Sequence, residues 1–319
     1  MARQIGEATR LDDAARAGWL YYVAGNTQDE IAQKLGVSRQ SAQRLVSLAV
    51  SERLVKFRLD HPIAQCLELG ARLRARFGLQ HAEVVPSDPD APDLIAGVAI
   101  EGAQEMLTHL DSDTPKIIAL GTGRVLRACV EQLPRLPRPQ HHLVSLVGNM
   151  MTDGSATAFN VVERMADRVG TRHNPMPLTV LVRNPEELAV LHALEPVANT
   201  LALCARADVT FVGIGHVDPR APMAVDGFIT GAEAEELTAS GAVGEIVGWV
   251  YDVQGALIPH LTNDRVSSAP LKVGSDMPVI GMAVGPAKVK AILGALNGRL
   301  INGLITDEAT AQAILDLAR

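Results

Sequence analysis

The stretch Thr27–Ala49, TQDEIAQKLGVSRQSAQRLVSLA, predicts two short helices joined by a tight turn. Thr27 is a suitable N-cap, and Glu30 three residues later can complete a capping box. Gly36 permits the turn, and Ser38 can cap the second helix. An ordinary helical hairpin would explain any one of these features, but their combination favours a helix-turn-helix.

The second predicted helix carries a polar face of the kind that reads base pairs. Its apolar residues fall on one side, and arginine, glutamine and serine fall on the other. Arginine and glutamine hydrogen-bond to guanine and adenine edges in a major groove, so we expect double-stranded DNA as a partner. The candidate DNA-binding residues are Thr27, Ser38, Arg39, Gln40, Gln43 and Arg44.

The segments beside this motif complete a predicted DNA-binding domain over residues 1–60. The apolar face of Leu11–Ala24 predicts a preceding helix, and we expect its Trp19 and Tyr22 to pack in the core rather than contact DNA. Alternation over residues 52–59 favours a short strand, a wing with basic side chains near phosphates. Ile63–Phe77 has a helical pattern and is interpreted as a linker helix within residues 61–80, able to pair with its counterpart in a dimer.

Length and charge fit a DNA reader attached to a second domain. A chain of 319 residues is expected to form about two domains. The net charge is −7, but residues 1–60 carry 9 Lys and Arg against 7 Asp and Glu. No apolar run approaches the ~20 residues of a membrane span, and the N-terminus has no apolar signal core. We therefore expect a cytoplasmic protein without membrane contact.

The cysteines and histidines show no metal-ligand spacing. Cys66, Cys129 and Cys204 are far apart and form no CxxC pair, so we interpret them as buried thiols in a reducing compartment. His141 and His142 have no carboxylate or cysteine at ligand spacing, which favours a surface position. The sequence predicts neither a metal nor a cofactor.

From residue 81 to 319 the pattern alternates between strands and helices, which predicts a doubly wound, mostly parallel α/β domain. The predicted strands are Glu83–Val85, Lys116–Leu120, Leu143–Val147, Leu178–Val182, Val209–Ile214, Ile246–Tyr251, Val279–Ala283 and Leu304–Ile305. The predicted helices are Leu94–Leu110, Val125–Gln132, Phe159–Val169, Glu186–Leu194, Val197–Arg206, Ala232–Ser240, Ala287–Leu296 and Glu308–Leu317.

Ligands of such sheets bind beyond the carboxyl ends of the strands, where this chain has several turns of small residues. Gly121-Thr122-Gly123-Arg124 could cradle a ligand at a helix N-terminus, although a plain turn remains open because dinucleotide and Walker A signatures are missing. A lysine in the first turn of a helix is unfavourable for the helix itself, so Lys288 is expected to face a ligand. Glu245 falls in a predicted turn of small residues.

These turns predict a pocket for a compact polyhydroxylated or anionic molecule. The candidate effector-binding residues are Gly121, Thr122, Gly123, Arg124, Asn149, Glu245 and Lys288. No nucleophile elbow, zinc-protease motif or reactive-cysteine context is present, so no catalytic residue is assigned.

Several segments together resemble the SorC family of bacterial sugar-responsive transcriptional regulators over essentially the whole chain. The segments with this resemblance are TQDEIAQKLGVSRQSAQRL (27–45), the His61-Pro62 junction, FGLQHAEVV (77–85), GTGR (121–124), FVGIG (211–215), GAVGEIVGWVYDVQG (241–255) and VIGMAVGPAKVKAILGALNGRLINGLITDEATA (279–311). The last two are highly specific as a pair.

The resemblance implies an effector domain of the ribose-phosphate isomerase or glucosamine-phosphate deaminase type, a tetramer on DNA, and a sugar or sugar-phosphate inducer. It implies that Glu245 and Lys288 occupy effector-pocket positions and that Gly121–Arg124 cradles the ligand. Gly148-Asn149 departs from the Gly-Gly of many members. The strand end at 211–216 lacks the paired acids of the related isomerases, which disfavours isomerase activity.

The prediction is thus a transcriptional regulator that is a homo-oligomer, a dimer or a tetramer, and whose operator affinity depends on a small carbohydrate. Two alternatives stay open at this point. One is a sugar-phosphate isomerase or deaminase with a fused DNA-binding head. The other is a DNA-binding scaffold with a degenerate pocket.

Overall fold

The computed structural model describes residues 2–52, 54–55, 63–151, 154–157 and 160–318, with side chains from residue 10 onward. The chain forms two compact units, Met1–His61 and Pro62–Arg319. The predicted wing at 52–59 lies largely outside the described residues.

The first unit consists of three helices, α1 (Ala2–Tyr22), α2 (Gln28–Leu35) and α3 (Arg39–Ser51). Among its described side chains the core is made mainly of small residues, and Ile31 is the largest that is fully buried. The prediction that Trp19 and Tyr22 pack in this core is wrong, since they are 56% and 41% exposed. Small residues bring α1 close to α3: a Cβ built at Gly18 would lie 2.8 Å from that of Ala49.

The second unit is built on a seven-stranded sheet in which every pair is parallel, with the order β1-β10-β9-β5-β2-β3-β4. The sheet strands are β1 (His81–Val85), β2 (Ile117–Leu120), β3 (His142–Met150), β4 (Arg172–Thr179), β5 (Val209–Gly213), β9 (Val279–Met282) and β10 (Gly303–Asp307). The short strands β6 (Gly215–His216), β7 (Gly244–Ile246) and β8 (Trp249–Tyr251) form a separate antiparallel sheet.

Helices cover both faces of the large sheet, which confirms the doubly wound fold. The helices of this unit are α4 (Ala64–Phe77), α5 (Ala96–Leu110), α6 (Arg124–Gln132), α7 (Val161–Val169), α8 (Pro185–His192), α9 (Glu195–Ala205), α10 (Pro222–Val225), α11 (Gly231–Ala239), α12 (Val289–Asn297) and α13 (Glu308–Leu317). Helices α5, α6 and α7 pack on one face, and α4, α9, α12 and α13 pack on the other. Successive residues of β2 alternate between the two apolar cores, as strand geometry requires.

Two predicted strands need correction. The run Ile246–Tyr251 is not one strand but the end of β7, a turn at Val247-Gly248, and β8. Both turn residues have positive φ, 48° and 92°, which reverses the chain. The strand predicted at Leu178–Val182 instead starts at Arg172 and ends at Thr179, after register shifts along β3.

All three cysteines are buried free thiols, as predicted. Burial raises the pKa of Cys66 to about 11, and that of Cys129 and of Cys204 to about 12. The surface position predicted for His141 is wrong, because its ring is buried and its Nε2 lies 2.9 Å from the Leu110 carbonyl oxygen.

Within the described residues, no cluster of three or more metal-ligating side chains could hold a metal ion. A search of the same residues for membrane spans finds no single helix that is long and apolar enough. Helices α8 and α9 pass that test only as a pair, by length and composition, and they meet at a bend of 85°.

Candidate functional sites

The first candidate site is the polar face of α3. Its buried residues are Ala42, Val46 and Ala49, which fix the helix against α1 and α2. The candidate reading residues Arg39, Gln40, Gln43 and Arg44 are all exposed. Within the part of the chain that the structure describes, Gln40, Gln43 and Arg44 make no side-chain hydrogen bond or ion pair, whereas Arg39 Nε lies 3.4 Å from Asp29 Oδ1.

Both helix caps predicted in this motif are formed. The Thr27 N–H donates to Glu30 Oε2 at 2.7 Å, and the Glu30 N–H donates back to Thr27 Oγ1 at 3.4 Å. Ser38 Oγ accepts from the Ser41 N–H at 3.1 Å. Gly36 ends α2 with φ of 65°. The caps fix where each helix begins, while contact of Thr27 and Ser38 with DNA stays a prediction.

The second candidate site lies at the carboxyl edge of the large sheet. The loop Gly121–Gly123 follows β2, and α6 begins at Arg124. The Gly121 N–H donates to the Phe211 carbonyl at 2.8 Å, which holds the loop against β5. A Cβ at Gly213 would lie 3.0 Å from the Thr122 carbonyl oxygen, so a larger residue there would push the loop slightly away from β5. The Arg124 guanidinium pairs with Asp226 at 3.2 Å.

Glu245 lies in the middle of β7 rather than in the predicted turn. Its neighbour across the small sheet is Gly215, whose missing side chain leaves room for the carboxylate. The Gly248 N–H donates to Glu245 Oε2 at 2.9 Å. Burial raises the pKa of this carboxyl, and the Gly248 hydrogen bond and the Lys288 charge oppose that shift.

Lys288 lies close enough to Glu245 for their charges to interact, while its contact with a ligand stays a prediction. It closes a 3-10 turn, Pro286–Lys288, directly before α12, instead of lying inside the first turn of an α-helix. Burial lowers the pKa of its ammonium, Glu245 raises it, and Arg124 lowers it. Among the described residues, no carboxylate reaches ion-pair distance of this ammonium. Glu245 and Lys288 therefore interact through space without touching.

Three further side chains of this site were missed by sequence reasoning. His216 lies 3.2 Å from Asp218, and burial and Lys288 lower the pKa of its imidazole. Asp218 and Asp93 both act on the charge of Lys288. A Cβ at Gly285 would meet Asp93 Oδ1 at 2.1 Å, which places this carboxylate over the Pro286–Lys288 turn. His216 could have been found, because it follows the Gly213–Gly215 strand end, but nothing local marks Asp93.

Asn149 lies near the end of β3, next to β2 in the sheet. Its side-chain Nδ2 donates to Glu163 Oε1 at 3.1 Å, and its carbonyl accepts from the Thr157 N–H. The amide is thus engaged within the protein, and the second Glu163 oxygen is buried without a partner. Within the described residues, none of the hydrogen bonds of Asn149 leads to Glu245 or Lys288.

A helix-turn-helix unit joined to a parallel α/β unit with a polar site at its strand ends defines the class of ligand-controlled DNA-binding regulators. Residues 61–316 match the family Sugar-bind, described as a "Putative sugar-binding domain".

Proteins similar to this chain over nearly its whole length are transcriptional regulators. The chain is 32% identical over 302 residues to the erythritol catabolism regulatory protein EryD of Brucella abortus (strain 2308), with 95% of this chain and 96% of that protein covered. It is 30% identical over 316 residues to the transcriptional regulator LsrR of Escherichia coli (strain K12), with 95% and 94% covered.

Among solved structures, the full-length sorbitol operon regulator SorC from Klebsiella pneumoniae matches with a TM-score of 0.69 and 26% identity. That match covers 95% of this chain and 97% of SorC. The chain belongs to this family of carbohydrate-sensing, DNA-binding transcriptional regulators.

Proposed function

We propose that a small carbohydrate binds between the Gly121–Arg124 loop, Glu245 and Lys288, and that its binding changes the affinity of α3 for an operator. The observation that supports this proposal most directly is the separation of Glu245 and Lys288. Each is shifted by burial toward its neutral form, yet they do not form an ion pair. A ligand hydroxyl group can donate to the carboxylate and accept from the ammonium, which would satisfy both.

The charges around this site favour an unphosphorylated polyol or sugar. Among the described residues that interact with Lys288 or pair with Arg124, the carboxylates Glu245, Asp218, Asp93 and Asp226 outnumber those two cations. Arg124 is already paired with Asp226, and the lowered pKa of His216 keeps its ring neutral at pH 7. A phosphate would need more cationic partners than these. EryD, named for erythritol catabolism, is a relative whose name points to a small polyol.

The first experiment is a thermal-shift screen of linear polyols, free sugars and sugar phosphates, followed by titration of the operator complex with the ligand found. We expect Glu245→Ala and Lys288→Ala to abolish the ligand's effect on operator binding while operator binding itself persists. For a free polyol the loss at Glu245 should be the larger, and for a phosphate the loss at Lys288.

Lys290→Ala provides the matched control, because Lys290 is an exposed lysine two residues after Lys288, in α12. It should respond to the ligand as the wild type does. If Glu245→Ala and Lys288→Ala both respond at the wild-type midpoint, the assigned site is wrong.

For the helix-turn-helix unit, we propose that the exposed face of α3 contacts operator bases or phosphates through Arg39, Gln40, Gln43 and Arg44. Thr27 and Ser38 would contact the DNA from the adjacent helix ends. Gln43→Ala and Arg44→Ala should each cost ~1–3 kcal/mol of specific operator binding. Gln33→Ala, an exposed change on α2, is the matched control. Gel-shift titration measures all three, and wild-type affinity of both α3 variants would exclude this face.

We further propose that the chain acts in the cytoplasm as a homo-oligomer, a dimer or a tetramer. A single α3 can bind one operator half-site. Paired half-sites separated by whole helical turns require at least two DNA-binding units. Sedimentation velocity with and without operator tests this. A monomer in both conditions would exclude it.

We propose no catalytic role, because the relatives along the full chain are regulators. Incubation with sugar phosphates followed by product analysis distinguishes a regulator from an isomerase or deaminase. Turnover that disappears in Glu245→Ala would favour the enzyme. A ligand-dependent thermal shift, in turn, would exclude a scaffold with a degenerate pocket.

A further inference from the structure

A cavity lies within the Pro62–Arg319 unit, on the α9 and α12 face of the large sheet. Its volume is about 310 Å³, which is in the range of small-molecule sites. Most of its lining is aliphatic, including Leu146, Leu201, Val212 and Leu300. None of the seven candidate effector-binding residues from the sequence lines it.

Lys272 is the only residue with a formal charge among those that line this cavity. It is half-buried, and burial lowers the pKa of its ammonium. Asp208 and Cys204 act on it through space, but within the described residues no carboxylate reaches ion-pair distance. The Cys204 thiol is neutral at pH 7, because burial raises its pKa to about 12, and it donates to the Ser145 carbonyl at 3.5 Å.

The wall between this cavity and the carbohydrate site is the β7–β8 turn. Ile246 and Val247 line the cavity, and the next residue, Gly248, binds the Glu245 carboxylate through its N–H. Val247 also touches the other side, since its Cγ1 would lie 3.1 Å from a Cβ at Gly121. A β-branched residue with φ of 48° is held there only by its surroundings.

We propose that this cavity is a second ligand site, which takes a small aliphatic carboxylate. The aliphatic chain fills the apolar interior, and the carboxylate binds the Lys272 ammonium, the one cation of the lining. This site is distinct from the carbohydrate site and does not depend on the function proposed for it.

Trp249 provides a built-in reporter of this site. Its indole Nε1–H donates to the Ala269 carbonyl at 3.0 Å, and Ala269 lines the cavity. The chain has two tryptophans, so Trp19→Phe leaves Trp249 as the only tryptophan, and excitation selective for tryptophan reports on it alone. Octanoate is the probe, and 1-octanol, which has the same chain length and no charge, is the matched ligand.

In the Trp19→Phe background we expect octanoate to change Trp249 emission saturably, with one molecule bound per chain by calorimetry. Lys272→Met should weaken octanoate binding at least ten-fold and leave 1-octanol binding unchanged, whereas Lys272→Arg should bind octanoate as the parent does. Ala205→Phe, at an exposed lining position, should weaken both ligands.

Absence of saturable octanoate binding would overturn the proposal, as would octanoate affinity that neither Lys272→Met nor Ala205→Phe changes. Circular dichroism confirms that each variant is folded before titration. Because no operator or carbohydrate is present, failure here leaves the proposed carbohydrate site unaffected.

Discussion

Gly215→Ala is a substitution that tests the carbohydrate site without removing any of its polar groups. Gly215 pairs with Glu245 across the β6–β7 ladder. An added Cβ would lie 1.9 Å from Glu245 Oε1 and 2.7 Å from its Cδ, whereas ordinary contacts begin near 3.4 Å. The carboxylate must therefore move by about 1.5 Å. The φ of Gly215 lies outside the left-handed region, so alanine adds no backbone strain.

The expected loss follows from the contacts of that carboxylate. Its movement breaks or lengthens the 2.9 Å hydrogen bond from the Gly248 N–H and misplaces the oxygens that would receive ligand hydroxyls. Hydrogen bonds to charged groups contribute about 1.5–3 kcal/mol. One such bond to the ligand corresponds to a shift of roughly ten- to a hundred-fold in the effector midpoint. The clash involves the flexible end of one side chain, so the fold should persist.

The assay is effector titration of the operator complex for Gly215→Ala, with Gly231→Ala as the matched control, since a Cβ at Gly231 meets nothing within 4 Å. In the Glu245→Ala background, where effector affinity is measured directly by calorimetry, Gly215→Ala should weaken effector binding no further, because the two changes act on one group. A wild-type midpoint for Gly215→Ala, or an equal effect in both backgrounds, would refute the role of Glu245.

Three other predictions concern stability. Thr27→Ala should lower the free energy of unfolding of the helix-turn-helix unit by about 1 kcal/mol, because it removes the capping box. Urea denaturation measures this loss, and an unchanged midpoint would contradict the role of the cap. Glu105→Gln should destabilise the second unit at pH 7, with the difference shrinking as pH falls below 4.5. The reason is that the hydrogen bond to His109 lowers the pKa of Glu105, so its carboxylate stabilises the fold above that range; a pH-independent difference would exclude this. The double variant Glu245→Leu, Lys288→Met should melt higher than the ligand-free wild type, because apolar groups replace two desolvated charges, and a lower Tm in scanning calorimetry would contradict this.

The helix-turn-helix unit was predictable because the signals that define it are local in the sequence. Thr27, Gly36 and Ser38 each act within three or four residues of themselves, so cap and turn signals are visible in the sequence. Helical periodicity, however, does not show which apolar residues a neighbouring helix can accommodate. Because Gly18 lets α1 approach α3 closely, the core takes the alanines and leaves Trp19 outside. A prediction that weighed residue size against helix separation would have placed Trp19 on the surface.

The proposed carbohydrate site was predictable only where its residues directly follow strand ends. The Gly121–Arg124 loop and Lys288 were located because each follows a strand of the parallel sheet. The run EIVGWVY, in contrast, alternates well enough to resemble one strand, and the reversal at Val247-Gly248 depends on partners far along the chain. Asp93 lies nearly two hundred residues before Gly285, so its position depends entirely on tertiary structure.

If Glu245 and Lys288 bind the effector as proposed, their burial connects stability to sensing. Burial raises the pKa of Glu245 and lowers that of Lys288, so each group is shifted toward its neutral form. Because the two groups are separated, they do not form the ion pair that would offset the cost of burying their charges. A hydroxylated ligand between them would offset that cost for both groups at once, so part of its affinity would come from relieving an existing penalty. A ligand can shift operator affinity only if it binds one quaternary arrangement more tightly than another. We therefore expect the arrangement that the effector favours to be the one in which Gly248 and Gly215 hold the Glu245 carboxylate facing Lys288, because only that geometry lets one ligand satisfy both charges.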